Sequence, residues 1–232
     1  MYSSNKARKV VRMKLFLDSA NIKEIEELGS NEYVYGLTTN PTFFYEEGIK
    51  STKEFLSVLK DIMPDKEIQL EAMGSVDEIL KTARDYVVSP AGTSCEHNIV
   101  SKIPFNEEGL EAVSILSKES IRTNVHLVYS VNQAVLAAKS GANYVCPLLG
   151  RYDDSGQNST ELIKDIKTAF DNYKIKTEIL AASIRHPDHV KQAILVGVDA
   201  ITIPYKVFKL MMDHPLTERG TRAFEKHTVG QK

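Results

Sequence analysis

Lys102 sits inside the apolar run Asn98-Ile-Val-Ser-Lys-Ile-Pro104, a place where a chain seldom puts a lysine without using it. Burial strips an ammonium group of its hydration, which favours the neutral amine near neutral pH. A neutral lysine amine attacks a ketone carbonyl and forms a Schiff base. Two carboxylates close neighbouring apolar runs: Asp18 ends Lys14-Leu-Phe-Leu-Asp18, and Glu71 ends Glu67-Ile-Gln-Leu-Glu71. Upstream, Gly36-Leu-Thr-Thr-Asn-Pro41 follows the apolar Tyr33-Val-Tyr35 and brings Thr38 and Asn40 to the end of another expected strand. A nucleophilic amine with two carboxylates is the minimum set for Schiff-base chemistry with proton transfer.

These residues need a scaffold that brings many strand ends together. Strands are expected at 13–17, 33–37, 67–72, 98–103, 123–128, 143–146, 176–181 and 199–203. Helices are expected between them at 21–28, 51–62, 76–86, 107–118, 131–139, 159–172, 187–195 and 205–212, with an extra one at 216–227. Asn21 and Glu24 have the spacing of a capping box at the first of these helices. Strand and helix alternate in units suited to a parallel βα repeat, so the expected fold is a single (β/α)8 barrel of the α/β class with an extra C-terminal helix. A doubly wound open sheet is the runner-up. Alternate strand residues face the lumen of a barrel, and the pairs Phe16/Asp18, Gln69/Glu71, Val100/Lys102, Asn124/His126 and Ser183/Arg185 each share a parity. The residues between them, Leu17, Leu70, Ile103, Val125 and Ile184, are apolar and suit the layer beneath the helices.

Length and composition are compatible with that fold. At 232 residues the chain matches one barrel, so no second domain is needed. Residues 1–12 read as a basic tail, with disorder one expectation, and 13–232 as the barrel domain. A net charge of −2 with acids and bases interspersed gives no support for nucleic acid as a partner. No apolar run reaches membrane-spanning length, and the basic start has no apolar stretch of a signal peptide, which makes cytoplasm the expected location. Cys95 and Cys146 lie far apart in no CxxC pattern, arguing against both a disulfide framework and a zinc site. His186 and His189 have helical spacing, but no carboxylate–histidine constellation surrounds them and a solvated helix start is expected instead.

Taken together, Leu15-Phe-Leu-Asp-Ser19, Gly36-Leu-Thr-Thr-Asn-Pro41, Lys102-Ile-Pro104, Thr123-Asn124, Gly150-Arg151, Ala181-Ala-Ser-Ile-Arg185 and Ile203-Pro-Tyr-Lys206 resemble the small transaldolase and fructose-6-phosphate aldolase family. The resemblance runs from Lys14 to Phe224. It implies a Schiff-base enzyme that needs no metal and no organic cofactor, acts on phosphorylated sugars and assembles as a homopentamer or homodecamer. By position, Lys102 matches the Schiff-base lysine, Asp18 the acid/base carboxylate, and Glu71 the residue that positions a water. Thr38 and Asn40 match contacts to substrate hydroxyls, and Asn124 a group beside the lysine. Arg151, Ser183 and Arg185 match the phosphate site, and two guanidinium groups suit a phosphate dianion.

Two positions depart from the family pattern. His126 replaces the threonine that shares the catalytic water, and Leu148 stands where transaldolases carry phenylalanine and the aldolases tyrosine. Histidine as a residue type titrates near neutrality, so His126 is either a proton-transfer group or a satisfied core residue. Plainer readings stand beside the others as well: Asp18 as a turn or cap residue, Glu71 as only a partner for Lys102, and Thr38 and Asn40 as shapers of the turn before Pro41. Transaldolase, fructose-6-phosphate aldolase or related carboligase, and a catalytically silent phosphosugar-binding barrel remain open at this point.

Overall fold

A computed structural model describes residues 13–87 and 98–228; the basic tail 1–12 and Cys95 lie outside the described residues. Eight parallel strands close into a barrel in chain order: β1 (Lys14–Asp18), β2 (Gly36–Thr38), β3 (Glu67–Glu71), β4 (Asn98–Pro104), β5 (Thr123–Val128), β6 (Tyr144–Pro147), β7 (Glu178–Ala181) and β8 (Ala200–Pro204). Closure comes from β8 pairing with β1, with Phe16 opposite Thr202. The helices are α1 (Ile22–Leu28), α2 (Pro41–Glu46), α3 (Thr52–Ile62), α4 (Val76–Val87), α5 (Glu107–Lys118) and α6 (Val131–Lys139). They continue with α7 (Leu149–Asp154), α8 (Ser159–Tyr173), α9 (Pro187–Val196), α10 (Tyr205–Met212) and the extra α11 (Pro215–Thr228). The expected (β/α)8 barrel is the fold observed.

Period two sorts the strand side chains between two cores. Leu17, Leu70, Ile103, Val125 and Ile184 all join the large apolar layer between sheet and helices. Phe16, Val100, Tyr144, Leu180 and Ala200 pack together inside the lumen. Below them a polar floor closes the barrel: Arg122 pairs with the buried Glu67 at 2.7 Å, and Lys14 bonds Tyr144 at 2.8 Å and Glu178 at 2.6 Å. A buried glutamate is tolerated there because its oxygens are matched by Arg122, Tyr144 and Gln69.

One expectation is corrected, and two short helices were missed. Tyr33 to Tyr35 are not strand: they turn at the rim, Tyr33 against Phe208, and the β2–β3 ladder begins only at Gly36 opposite Glu67. Gly36 is required there, since a Cβ would lie 2.2 Å from the Glu67 carbonyl oxygen. The short helix α2 went unforeseen, although Asn40 caps it and Pro41 opens it, the usual start pair. So did α7, whose start at Leu148 has no side-chain cap.

Candidate active site

Asp18, Glu71, Lys102 and His126 arrive at one cleft at the carboxyl ends of the strands, with a volume of about 450 Å³. Adjacent strands in register put Glu71 beside Lys102 and Lys102 beside Asn124. The Lys102 ammonium donates to Glu71 Oε1 at 2.8 Å and to the Thr39 carbonyl at 2.6 Å. Burial pushes this amine's pKa down, but Glu71, Cys146 and Asp18 outweigh it and the net shift is upward. The expectation of a resting neutral amine is therefore corrected: the carboxylates around Lys102 favour its protonated form.

The two carboxylates differ sharply. Burial raises Glu71, yet Lys102 and then His126 overcome it and bring its pKa down to about 2. Burial wins at Asp18, whose pKa is raised despite Lys102 and the hydrogen bond from Thr38. Asp18 thus has the stronger hold on a proton, as an acid/base group needs. Thr38 donates to Asp18 Oδ1 at 2.7 Å, which leaves Thr202, 2.5 Å away, to donate to Thr38.

His126 Nε2 stands 2.9 Å from Glu71 Oε2 and, after Lys102, helps to hold that carboxylate ionised. Both residues belong to the cleft wall. A bulge in the β5–β6 ladder falls between His126 and Val128, with Leu127 at φ 59°. The left-handed turn directs Leu127 into the lumen, where it lines the cleft instead of packing beneath a helix.

Other expected residues divide in their placement. Thr38 and Asn40 line the cleft, although the Asn40 side chain also caps α2 by accepting from Phe43 N–H at 3.0 Å. Asn124 does not form the wall: it donates to Gln69 at 2.7 Å and belongs to the polar column leading to the floor. Arg151, Ser183 and Arg185 stand together at the mouth. Ser183 and Arg185 reach it by a route parity did not predict, because β7 ends at Ala181 and Ser183 takes φ 57°. Arg185 is paired with Asp154 at 2.6 Å in an exposed position.

Sequence reasoning missed several wall residues, among them Thr202 and Cys146. Both share the lumen parity of their strands, which is the signal that could have found them. Burial pushes the Cys146 thiol up to about 12 even with Lys102 nearby, so it is an uncharged wall. His189 is corrected from a solvated helix start to a buried residue, 2.9 Å from Asp153. Among the described residues no group of three or more His, Cys, Asp or Glu side chains is placed to hold a metal. No described helix is long and apolar enough to cross a membrane.

Comparison with known proteins agrees with this geometry. Residues 15–231 match the family model described as "Transaldolase/Fructose-6-phosphate aldolase". A protein of Caldicellulosiruptor saccharolyticus named "Probable transaldolase" is 48% identical, covering 92% of this chain and 96% of its own. Proteins of the same name from Thermoplasma volcanium and Thermoanaerobacter are 45% and 44% identical, covering 91% and 92% of this chain and 93% and 95% of theirs. Among solved structures, a thiamine phosphate pyrophosphorylase from Pyrococcus furiosus superposes with a TM-score of 0.52 at 17% identity, covering 83% of this chain and 86% of its own, a likeness of fold alone. A match along nearly the whole barrel, over the strand ends that converge on Lys102, means that this chain belongs to the transaldolase/fructose-6-phosphate aldolase family.

Proposed function

We propose that this protein is a transaldolase that moves a dihydroxyacetone unit from a ketose phosphate to an aldose phosphate through a Schiff base on Lys102. The observation that carries the reading is the contact of the Lys102 amine with Glu71 in a cleft that also holds Asp18. The amine must first lose its proton. Glu71 is in contact to take it, and its low pKa depends largely on the Lys102 charge, so the carboxylate regains basicity as that charge leaves.

The free amine attacks C2 of the ketose, and the carbonyl oxygen takes a proton to give a carbinolamine. Protonation of that hydroxyl releases water and leaves the iminium. Glu71 and His126, 2.9 Å apart on the cleft wall, are the groups near the amine that pass protons to and from this water. Asp18 then takes the C4 hydroxyl proton, C4 becomes an aldehyde carbonyl, and the C3–C4 bonding electrons move into the enamine as the iminium nitrogen becomes neutral. Attack of C3 on a second aldose phosphate reverses these steps, Asp18 returns its proton, and water frees the new ketose. Arg151, Ser183 and Arg185 at the mouth hold the phosphate, supplying binding energy far from the reacting carbons. No metal or organic cofactor enters the scheme. We also read α11, whose described side chains are almost all exposed, as the element that joins copies into a pentamer or decamer. The place of action we assign is the cytoplasm.

The placement of His126 favours a second reading within the same chemistry, a fructose-6-phosphate aldolase outcome. Imidazole can take a proton from water and keep it, where a hydroxyl can only relay it. With Glu71 in contact beside it, such a base would activate a water that hydrolyses the enamine-derived iminium and releases free dihydroxyacetone. The test supplies fructose 6-phosphate with and without erythrose 4-phosphate and measures sedoheptulose 7-phosphate and dihydroxyacetone together. Transfer should dominate with a measurable leak, and His126→Thr should lower the leak relative to transfer. Dihydroxyacetone alone would make the protein an aldolase, and neither product would leave a silent phosphosugar-binding barrel.

A further inference from the structure

The mechanism above makes no use of His189, yet this residue ties together the two elements that carry the arginines. It stands in the first turn of α9 but is only 7% exposed. Its Nδ1 accepts the backbone N–H of Arg185 at 3.2 Å, so the ring proton sits on Nε2 and points to Asp153 Oδ2 at 2.9 Å. Asp153 belongs to α7, two residues after Arg151, and is itself fixed by the Ser159 N–H at 2.9 Å and the Ser159 hydroxyl at 3.0 Å. One imidazole therefore spans from the helix of Arg151 to the loop of Arg185.

The surroundings support a neutral ring. Burial lowers the pKa of His189, the neighbouring His186 and Arg185 act in the same direction, and Asp153 opposes them without reversing the shift. The same junction is tight elsewhere: the Gly150 N–H donates to the Ser183 carbonyl at 2.9 Å, and a Cβ on Gly150 would lie 2.6 Å from Arg185 Cγ. Ser183 holds φ 57°, a conformation that a residue other than glycine keeps only where its surroundings impose it. Meanwhile the Arg185 head group is exposed and rests on Asp154, so its backbone is the part that is fixed.

We propose that His189 is a positioning residue: by bridging Asp153 to the backbone of Arg185, it sets the spacing of the Arg151 and Arg185 guanidinium groups to fit the phosphate dianion of the substrate. The proposal rests on the reading of these two arginines as a phosphate clamp. It assigns His189 no contact with substrate. Its loss should weaken phosphate binding through Arg185 and leave the reacting carbons alone.

The experiment measures KM and kcat of the full chain for fructose 6-phosphate, and separately for coupling dihydroxyacetone to an unphosphorylated aldehyde. Arg185→Ala is the control for the clamp, and thermal melting reports folding. His189→Gln reaches Asp153 but leaves the Arg185 N–H without an acceptor, and it should raise KM for fructose 6-phosphate about five- to tenfold with kcat and unphosphorylated coupling little changed. His189→Asn puts its amide oxygen where Nδ1 stood but no longer reaches Asp153, so it cuts the other half of the bridge and should also raise KM for fructose 6-phosphate. A role in packing alone predicts that both variants lower the melting temperature and leave KM for fructose 6-phosphate unchanged. In the Arg185→Ala background, His189→Gln should cost nothing further in KM. If Arg185→Ala raises KM while His189→Gln does not, or if the two effects simply add, His189 is overturned and the clamp stands. If Arg185→Ala leaves KM unchanged, the clamp reading itself falls, and the proposal with it.

Discussion

At the scale of single residues, the site is governed by how Lys102, Glu71 and Asp18 shift one another's hold on a proton. Glu71 has its folded pKa at about 2 against an ordinary value of 4.5, so its ionisation stabilises the fold fully above the ordinary value. That stability is lost as pH falls through the folded value. Glu71→Gln should therefore lower unfolding free energy at pH 7 by on the order of 2 kcal/mol, with the deficit shrinking between pH 4.5 and the lowest pH at which the fold survives. Denaturant titrations at pH 7 and pH 4 measure it, and an equal deficit at both would contradict the charge balance drawn here. Parity in the sequence was enough to put Asp18, Glu71, Lys102 and His126 on one face. The charge state of Lys102 was not legible, because it depends on its contact with Glu71 and on Asp18 nearby, which no spacing in the sequence supplies. Asn124 followed its parity into the lumen but sits too deep to form the wall, a matter of depth along the strand that parity leaves open.

At the scale of elements, the regular strands were readable and the departures from regularity were not. The bulge at Leu127 and the left-handed Ser183 both redirect side chains next to the site, and neither carries the glycine that would have marked a positive φ in the sequence. The tyrosines at 33 and 35 look like strand by propensity but stop short of the ladder, which starts where Gly36 lets β2 approach β3. The C-terminal helix was legible, and α11 carries Leu216 and Phe224 at 59% and 75% exposure. An exposed helix with large apolar side chains suits burial against another copy. Light scattering at micromolar concentration should report a homo-oligomer, and a truncation before Pro215 should yield a smaller species. A full-length monomer would contradict this role for α11.

At the scale of the whole molecule, closing eight short strands into one barrel brings residues from β1, β3, β4 and β5 to a single amine, while the clamp at the mouth comes from α7 and the loop after β7. Under the proposed reading, chemistry lies on the rigid sheet and phosphate recognition on the connecting segments, with Leu148 and Leu127 lining the wall between them. All of this depends on one covalent bond. Borohydride reduction in the presence of fructose 6-phosphate, followed by peptide mass spectrometry, should find a dihydroxyacetone-derived adduct on Lys102, and Lys102→Ala should lose both adduct and turnover with its melting behaviour retained. An adduct on another lysine, or an active preparation with none, would contradict the Schiff-base account.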